Sequence, residues 1–352
     1  MRLLTSSSLK TWRRCPREYR FRYVDLLEPV NQDDVLRFGS LFHVGLEFWW
    51  RALMHGLVTD PARLVELAIE SMRGVAGDFD AYDLARAEEL FIAYAVRWAD
   101  QGFEVLAVEV EFQAPLINPD SGQPSRTFRQ AGKIDAIVRR PDGSVWVVEH
   151  KTSGEDIAPG STYWQRLRMD GQVSAYFDGG DALGYEVVGV IYDVAKTPAQ
   201  RPLEATPVEL RKYTKATAKE PSRLYSNQRD ADETVDEYRA RVRAALVEDP
   251  GAYFARGEVV RLESERREHL MDTWQFASAI RESARTGCAP RNPDGCQRYG
   301  RFCSYMPICT GEAAPDDLTR YRVREAEHPE LSHQPATTKE VSHVSNSSNE
   351  AA

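Results

Sequence analysis

Gly132-Lys133-Ile134-Asp135 and Val145-Trp146-Val147-Val148-Glu149-His150-Lys151, joined through Arg140-Pro141-Asp142-Gly143-Ser144, form the stretch whose reading decides the fold. Pro141 suits the first central position of a type I turn, and Gly143 suits the left-handed position after it. Together they are the chemistry of a three-residue hairpin loop. Loop length sets register. If Arg140 faces Ser144, then Asp135 faces Glu149, and Lys151 shares a face with Glu149 because side chains alternate along a strand. Two carboxylates and a lysine then converge on one side of a sheet otherwise built of Val, Ile and Trp. A two-residue loop would pair Asp135 with His150 and break the group.

Two carboxylates on adjacent strands make a hard, oxygen-rich site suited to Mg²⁺ or Mn²⁺. A lysine beside them can orient or help deprotonate a water and stabilise charge on a phosphate. Standing alone, Glu-x-Lys on a strand is more often a solvated face, since short motifs match by accident.

With 352 residues and 42% hydrophobic content, the chain is long and apolar enough for one large globular domain with insertions or two packed ones. No apolar run is long enough to span a bilayer, and the first residues lack the core of a secretion signal, so a soluble, cytoplasmic protein without membrane partners is expected. Five cysteines, an odd number, argue against a disulfide framework. The net charge of −9 is unevenly spread. Lys10, Arg13, Arg14, Arg17, Arg20 and Arg22 stand against Glu18 alone, interleaved with Trp12, Tyr19, Phe21 and Tyr23. A second basic stretch runs from Lys196 to Arg229, and the tail from Glu312 is acidic. Local basic surface on an acidic remainder is compatible with binding a phosphate backbone, though a solvated helix face explains either patch singly.

The periodicities predict a short helix around Leu9–Tyr19 broken near Pro16, and helices over 39–53, 61–74 and 82–100. Strands are expected over 103–116, 127–139, 144–151 and 185–193, and further helices over 164–177, 232–247 and 258–284. Residues 195–230 read as an insert, an extended loop or small subdomain. Residues 312–352 read as an acidic, unstructured tail after a domain spanning 1–311. Strands flanked by helices argue for an α/β fold with a central mixed β-sheet.

Cys296-x6-Cys303-x5-Cys309 lies in a Pro/Gly-rich stretch that offers no helix or strand face to bury. Close Cys-x2–4-Cys pairs, which zinc sites favour, are missing, and the wider spacing fits an iron–sulfur cluster held by four thiolates. The fourth candidate is Cys15 or Cys288.

Taken in order, these elements resemble the PD-(D/E)XK nuclease superfamily, and within it the RecB-type nucleases with an iron–sulfur staple. That group includes the nuclease domain of AddB and the exonucleases of CRISPR adaptation and of bacteriophages. The resemblance runs from about Ser6 to Cys309. Ser8-x3-Trp12-x2-Cys15-Pro16-x2-Tyr19 resembles the segment supplying the first cluster cysteine, and Gly39-Ser40-x2-His43 the helix carrying the motif histidine. Gly132-x2-Asp135 and Glu149-x-Lys151 resemble the two core motifs. Gln172-x3-Tyr176 resembles the helical motif after them, with both side chains on one helix face. The resemblance implies a restriction-endonuclease-like core with a cysteine-clamped helical region joining the N- and C-terminal parts. It implies His43, Asp135 and Glu149 as ligands of Mg²⁺ or Mn²⁺, with the His150 carbonyl a further one. Lys151 would position or activate the attacking water, and Gln172 and Tyr176 would support the site or contact DNA. Cys15, Cys296, Cys303 and Cys309 would hold a [4Fe-4S] cluster, leaving Cys288 spare.

The implied activity is metal-dependent hydrolysis of phosphodiester bonds, as an exonuclease on single-stranded DNA or duplex ends, in repair, recombination, phage replication or CRISPR adaptation. The chain has no Gly-x4-Gly-Lys-Ser/Thr, so a helicase or a recombination or CRISPR partner would be separate. A different class is a catalytically inactive iron–sulfur DNA-binding subunit of a larger repair complex, which the intact Asp135, Glu149 and Lys151 disfavour. A third is a structural interaction protein whose cysteines hold zinc.

Overall fold

The hairpin forms with the register that its loop length requires. The computed structural model describes residues 1–30, 34–56, 60–216, 221–298 and 300–331. Strands Pro124–Arg139 and Val145–Ser153 pair antiparallel from Ala136↔Val148 to Arg139↔Val145. At the turn, the Arg140 amide donates to the Ser144 carbonyl at 2.9 Å and the Gly143 amide to the Arg140 carbonyl at 2.9 Å. Gly143 has φ +87°, which a side chain would disfavour. Asp142 Oδ1 accepts from the Ser144 amide at 2.9 Å and closes the loop.

In chain order, β1 (Arg2–Leu4) leads into α1 (Ser6–Arg14), broken at Cys15 before α2 (Pro16–Tyr19). The cap of α1 is Thr5, in a reciprocal capping box with Ser8. After β2 (Leu27–Pro29) come α3 (Asp34–His55), α4 (Pro61–Ala76) and α5 (Ala81–Arg97). Asp60 and Asp80 cap the last two through the Ala62 and Tyr82 amides at 3.0 and 2.9 Å. Strands β3 (Glu104–Ile117), β4 (Pro124–Arg139) and β5 (Val145–Ser153) precede α6 (Thr162–Leu167), α7 (Gly171–Leu183) and β6 (Val187–Lys196). Then follow α8 (Val235–Glu248), α9 (Pro250–Tyr253), β7 (Phe254–Val259) and α10 (Glu263–Thr286). The short β8 (Gln297–Arg298), β9 (Arg301–Phe302), α11 (Met306–Thr310) and β10 (Tyr321–Val323) end the described chain.

Six strands make one mixed sheet in the order β1-β4-β5-β6-β7, with β3 on the other edge of β4. β1 runs parallel to β4, β5 parallel to β6, and the remaining pairs are antiparallel. One edge of β4 is shared. Its start pairs with β1 at Phe128–Gln130 and its end with β5 at Ala136–Arg139. Residues 131–135 lie between the two pairings, where the neighbouring strands diverge.

Helices cover both faces, as expected for a mixed α/β fold. Phe38, Leu41, Phe42, Leu46, Trp49 and Trp50 recur at helical spacing on α3 and pack with α4, α5 and α8 over Ala136, Val138, Val148 and Ile191. On the other face α6 and α7 bury Tyr163, Leu167, Val173 and Phe177 against Ile137, Val147, Val190 and Val194. Each large apolar side chain so buried contributes roughly 1.5–3 kcal/mol.

Four expectations are corrected. The helix expected over 164–177 is two helices, because Asp170 turns to cap α7, accepting from the Gln172 amide at 2.9 Å. The start of the helix expected at 258 is instead β7, which pairs with β6, and α10 begins at Glu263. The Arg256-Gly257-Glu258 stretch carries no apolar alternation, so a sheet edge there had no sequence signature. Third, residues 312–331 are not a loose tail: β10 pairs with β2, and His328 Nε2 lies 3.2 Å from the Leu3 carbonyl. The rest of that expected tail lies outside the described residues. Fourth, β6 runs to Lys196, shortening the insert, whose described part holds a 3₁₀ turn at Val208–Leu210 and a bridge between Tyr213 and Leu224.

Trp146 on β5 faces Gly189 on β6, and a Cβ at 189 would sit 2.3 Å from its ring. The Arg140 guanidinium, 4.0 Å from the ring centroid, covers the indole, so it has little room to retreat. Gly189→Ala should therefore destabilise the fold by about 1–3 kcal/mol. An unchanged urea midpoint and slope would sink this packing argument.

Candidate active site

Three neighbouring strands bring three carboxylates into line. Val108↔Ala136 and Val110↔Ile134 set Glu109 opposite Asp135, and Ala136↔Val148 sets Asp135 opposite Glu149 one position further. Glu109 has φ +52°, a left-handed conformation that costs a non-glycine residue roughly 1–3 kcal/mol and tends to mark functional sites. Its effect is visible in the packing. In a regular strand residues 108 and 110 would share a face, yet Val108 packs into the core beneath α3 and Val110 into the core beneath α7. On β4, Ile134 and Ala136 change sides in the same way. Glu109 and Asp135 occupy the crossover.

From α3, His43 completes a group. The ligand atoms of His43, Glu109 and Asp135 all lie within 4.8 Å of one another. One Asp135 oxygen, Oδ2, accepts from the His150 backbone amide at 2.8 Å. The His43 ring lies edge-on to the His150 ring, 6.3 Å away between centroids. Glu109 is also paired with Lys133. Electrostatics matches a cation site. Burial, reinforced by His150, Lys151 and Lys133, pushes His43 down to about 3, so at neutral pH the imidazole is uncharged and able to ligate. Burial first, then repulsion from Glu149 and Glu109, holds the Asp135 carboxyl well above the usual carboxylate range. Burial likewise raises Glu109 despite Lys133. Carboxylates crowded out of water beside a neutral imidazole are a donor set that a Mg²⁺ or Mn²⁺ ion would fit and relieve.

Glu149, 2% exposed, is gripped from another direction. Lys151 and the Tyr176 hydroxyl bond its two oxygens, and Gln172 Nε2 donates to Oε1 at 3.1 Å. Gln172 Nε2 also reaches Tyr176 Oη at 2.7 Å, so the i, i+4 pair on α7 acts as one clamp. Burial opposes the charge on Lys151, but Glu149 and Asp135 outweigh it and hold the ammonium above the usual lysine range.

His43, Asp135, Glu149, Lys151, Gln172 and Tyr176 thus meet at one place. For His150 the backbone belongs there; its ring points to the α3 side of the sheet, 5.0 Å from Trp50 and 6.3 Å from His43 between centroids. Sequence reasoning missed Glu109, because Val108-Glu109-Val110-Glu111 reads as a strand with a wet face and nothing local separates its two acids.

Cys15, Cys296, Cys303 and Cys309 line one cavity of about 620 Å³ with Glu18, Phe21 and Tyr305. Cys15 caps the end of α1, and the β8–β9 turn carries the chain from Cys296 to Cys303, whose amide donates to the Cys296 carbonyl at 2.7 Å. Burial pushes the Cys303 thiol up to about 11 and also raises Cys309. Cys288 is exposed.

A mixed sheet flanked by helices, with Asp135 and Glu149-x-Lys151 on adjacent strands, defines a nuclease core. The PD-(D/E)XK nuclease superfamily matches residues 3–310, and the chain belongs to it. Membership implies hydrolase activity on nucleic acid assisted by divalent metal. A solved structure titled "Crystal structure of SSO0001" is 17% identical over 70% of this chain and 74% of that chain, with a TM-score of 0.25. A search of curated proteins finds no match. No helix among the described residues is long and apolar enough to cross a membrane.

Because the carboxyl of Asp135 holds its proton more tightly than an ordinary aspartate and must lose it to a cation, Mn²⁺ affinity should weaken as pH falls, with proton release on binding. Calorimetry in two buffers of different ionisation heat reads both. Affinity that does not move with pH would count against Asp135 as a ligand.

Proposed function

We propose that the chain is a RecB-type, divalent-metal-dependent deoxyribonuclease that degrades single-stranded or duplex DNA from its ends. One observation carries this reading: the His43, Glu109 and Asp135 group stands beside a Glu149–Lys151 pair clamped by Gln172 and Tyr176. His43, Glu109 and Asp135 would hold Mg²⁺ or Mn²⁺, with Glu149 and the His150 carbonyl as the remaining candidates. When bound, such an ion supplies positive charge to a phosphate and makes water a stronger acid. Lys151, kept protonated by its carboxylate neighbours, orients a water and neutralises charge on the phosphate rather than taking a proton. Tyr176 and Gln172 fix both oxygens of Glu149, so the carboxylate meets the reacting phosphate in one orientation.

Four thiols on one cavity wall support a [4Fe-4S] cluster on Cys15, Cys296, Cys303 and Cys309. The cluster would tie α1 to the segment after α10, a structural role in a nuclease domain that includes the β10 strand. Cys288, outside the cavity, is spare.

End-labelled single- and double-stranded DNA, blocked at either terminus and incubated with Mn²⁺, tests the activity. Cleavage should need a free end, and Lys151→Ala should slow it by roughly 10²–10³-fold. Cutting of closed circles would overturn the exonuclease assignment, and wild-type protein inert with both metals would overturn the enzyme. For the cluster, anaerobically purified protein should be brown and contain iron and sulfide, and Cys15→Ser should lose both. Zinc in place of iron would refute the cluster.

A further inference from the structure

Behind the site, on the face of the sheet away from Glu149 and Lys151, lies a second set of buried polar groups. His150 is 3% exposed and Asp193, its partner in the parallel β5–β6 ladder, 2%. His150 Nδ1 lies 3.2 Å from Asp193 Oδ2. The same oxygen accepts from the Tyr94 hydroxyl at 2.5 Å and from Arg256 Nη2 at 3.1 Å. Trp50 Nε1 in turn donates to Tyr94 Oη at 3.2 Å, and its ring packs on His150. Arg256 is locked by Gln101 at 2.7 Å and by Trp98, whose ring centroid is 3.8 Å away. Four elements, α3, α5, β6 and β7, therefore enclose one imidazole, which is positioned by packing on Trp50 and the close approach of Asp193; neither ring nitrogen makes a well-aligned hydrogen bond.

The backbone of that residue is what the site uses. Past Ala136↔Val148 the β4–β5 ladder gives way, and the His150 amide donates to the Asp135 side chain instead. His43 packs edge-on against the ring of the same residue, 6.3 Å between centroids. Two of the three groups that converge within 4.8 Å thus take their position from residue 150.

We infer that Asp193, with Tyr94 and Arg256, is a positioning device: by anchoring the His150 ring it fixes where Asp135 and His43 present their ligand atoms, and so sets the affinity for a divalent cation that it never touches. This rests on reading the His43/Glu109/Asp135 group as a cation site. Partners one step removed from a metal commonly change affinity 10–100-fold when lost.

The test is Mn²⁺ titration of the full chain without nucleic acid, following the free-ion signal by electron paramagnetic resonance, with thermal unfolding in parallel. Asp193→Asn should weaken binding roughly 10–100-fold, and Tyr94→Phe, which removes one donor and keeps the ring, about fivefold. Glu88→Gln is the comparison. Glu88 is an equally buried carboxylate, 1% exposed, whose partners Arg73 and Arg239 lie on α4 and α8. It should lower the unfolding temperature and leave Mn²⁺ affinity within about twofold. If Asp193→Asn and Tyr94→Phe bind Mn²⁺ like the wild type, or if Glu88→Gln weakens binding as much as they do, the inference is overturned while the cation site stands. Should Asp193→Asn fail to fold, Tyr94→Phe alone decides by the same comparison. Wild-type protein that binds no Mn²⁺ removes the cation site itself, and the inference with it.

Discussion

The β4–β5 register governs the rest of the molecule. A slip of one residue in a hairpin turns every side chain to the opposite face. Here that slip would bury Glu149 and Lys151 among Trp50 and Phe42 and put His150 where the carboxylate now stands. The loop prevents it through Gly143 and the Asp142 cap on Ser144. A few local hydrogen bonds thereby determine which face of a six-stranded sheet is acidic.

Placing carboxylates in that position is costly, since burial and mutual repulsion both oppose ionisation of Asp135 and Glu109. The fold tolerates the cost by pairing Lys133 with Glu109 and setting the Lys151 charge near Asp135, on a scaffold packed by two apolar cores. The left-handed Glu109 belongs to the same compromise. Strain at one residue lets two strands exchange faces and brings two acids to the crossover. Destabilised charge on rigid strands is what a cation-dependent enzyme requires of its ligands.

The polar network behind β5 has the opposite character. Asp193 is buried too, but Arg256 and His150 overcome the burial and hold its carboxyl below the usual range. One side of the strand carries carboxylates whose charge is opposed, the other a carboxylate whose charge is stabilised through its Oδ2, separated by a single backbone. His150 is the residue where both meet.

Local chemistry made much of this legible from the residues alone. The hairpin, the helices expected over 61–74 and 82–100, and the Gln172/Tyr176 helix face all depend on neighbours within a turn or two, where residue type decides conformation. The grouping of the thiols rested on the family resemblance; in the fold Cys15, Cys296, Cys303 and Cys309 line one cavity. The rest was hidden because it depends on pairing across long loops. Glu109 and Glu111 are indistinguishable until β3 is registered on β4. Asp193 and Arg256 reveal nothing until β6 and β7 pair, and the Asp170 cap and the β10–β2 pairing lacked a periodic signal. The sequence by itself determined the turn and the face of Glu149 and Lys151, because those follow from backbone sterics. Tertiary structure decided which third carboxylate joins them and what holds His150 in place, because burial and strand partners exist only once the chain has folded.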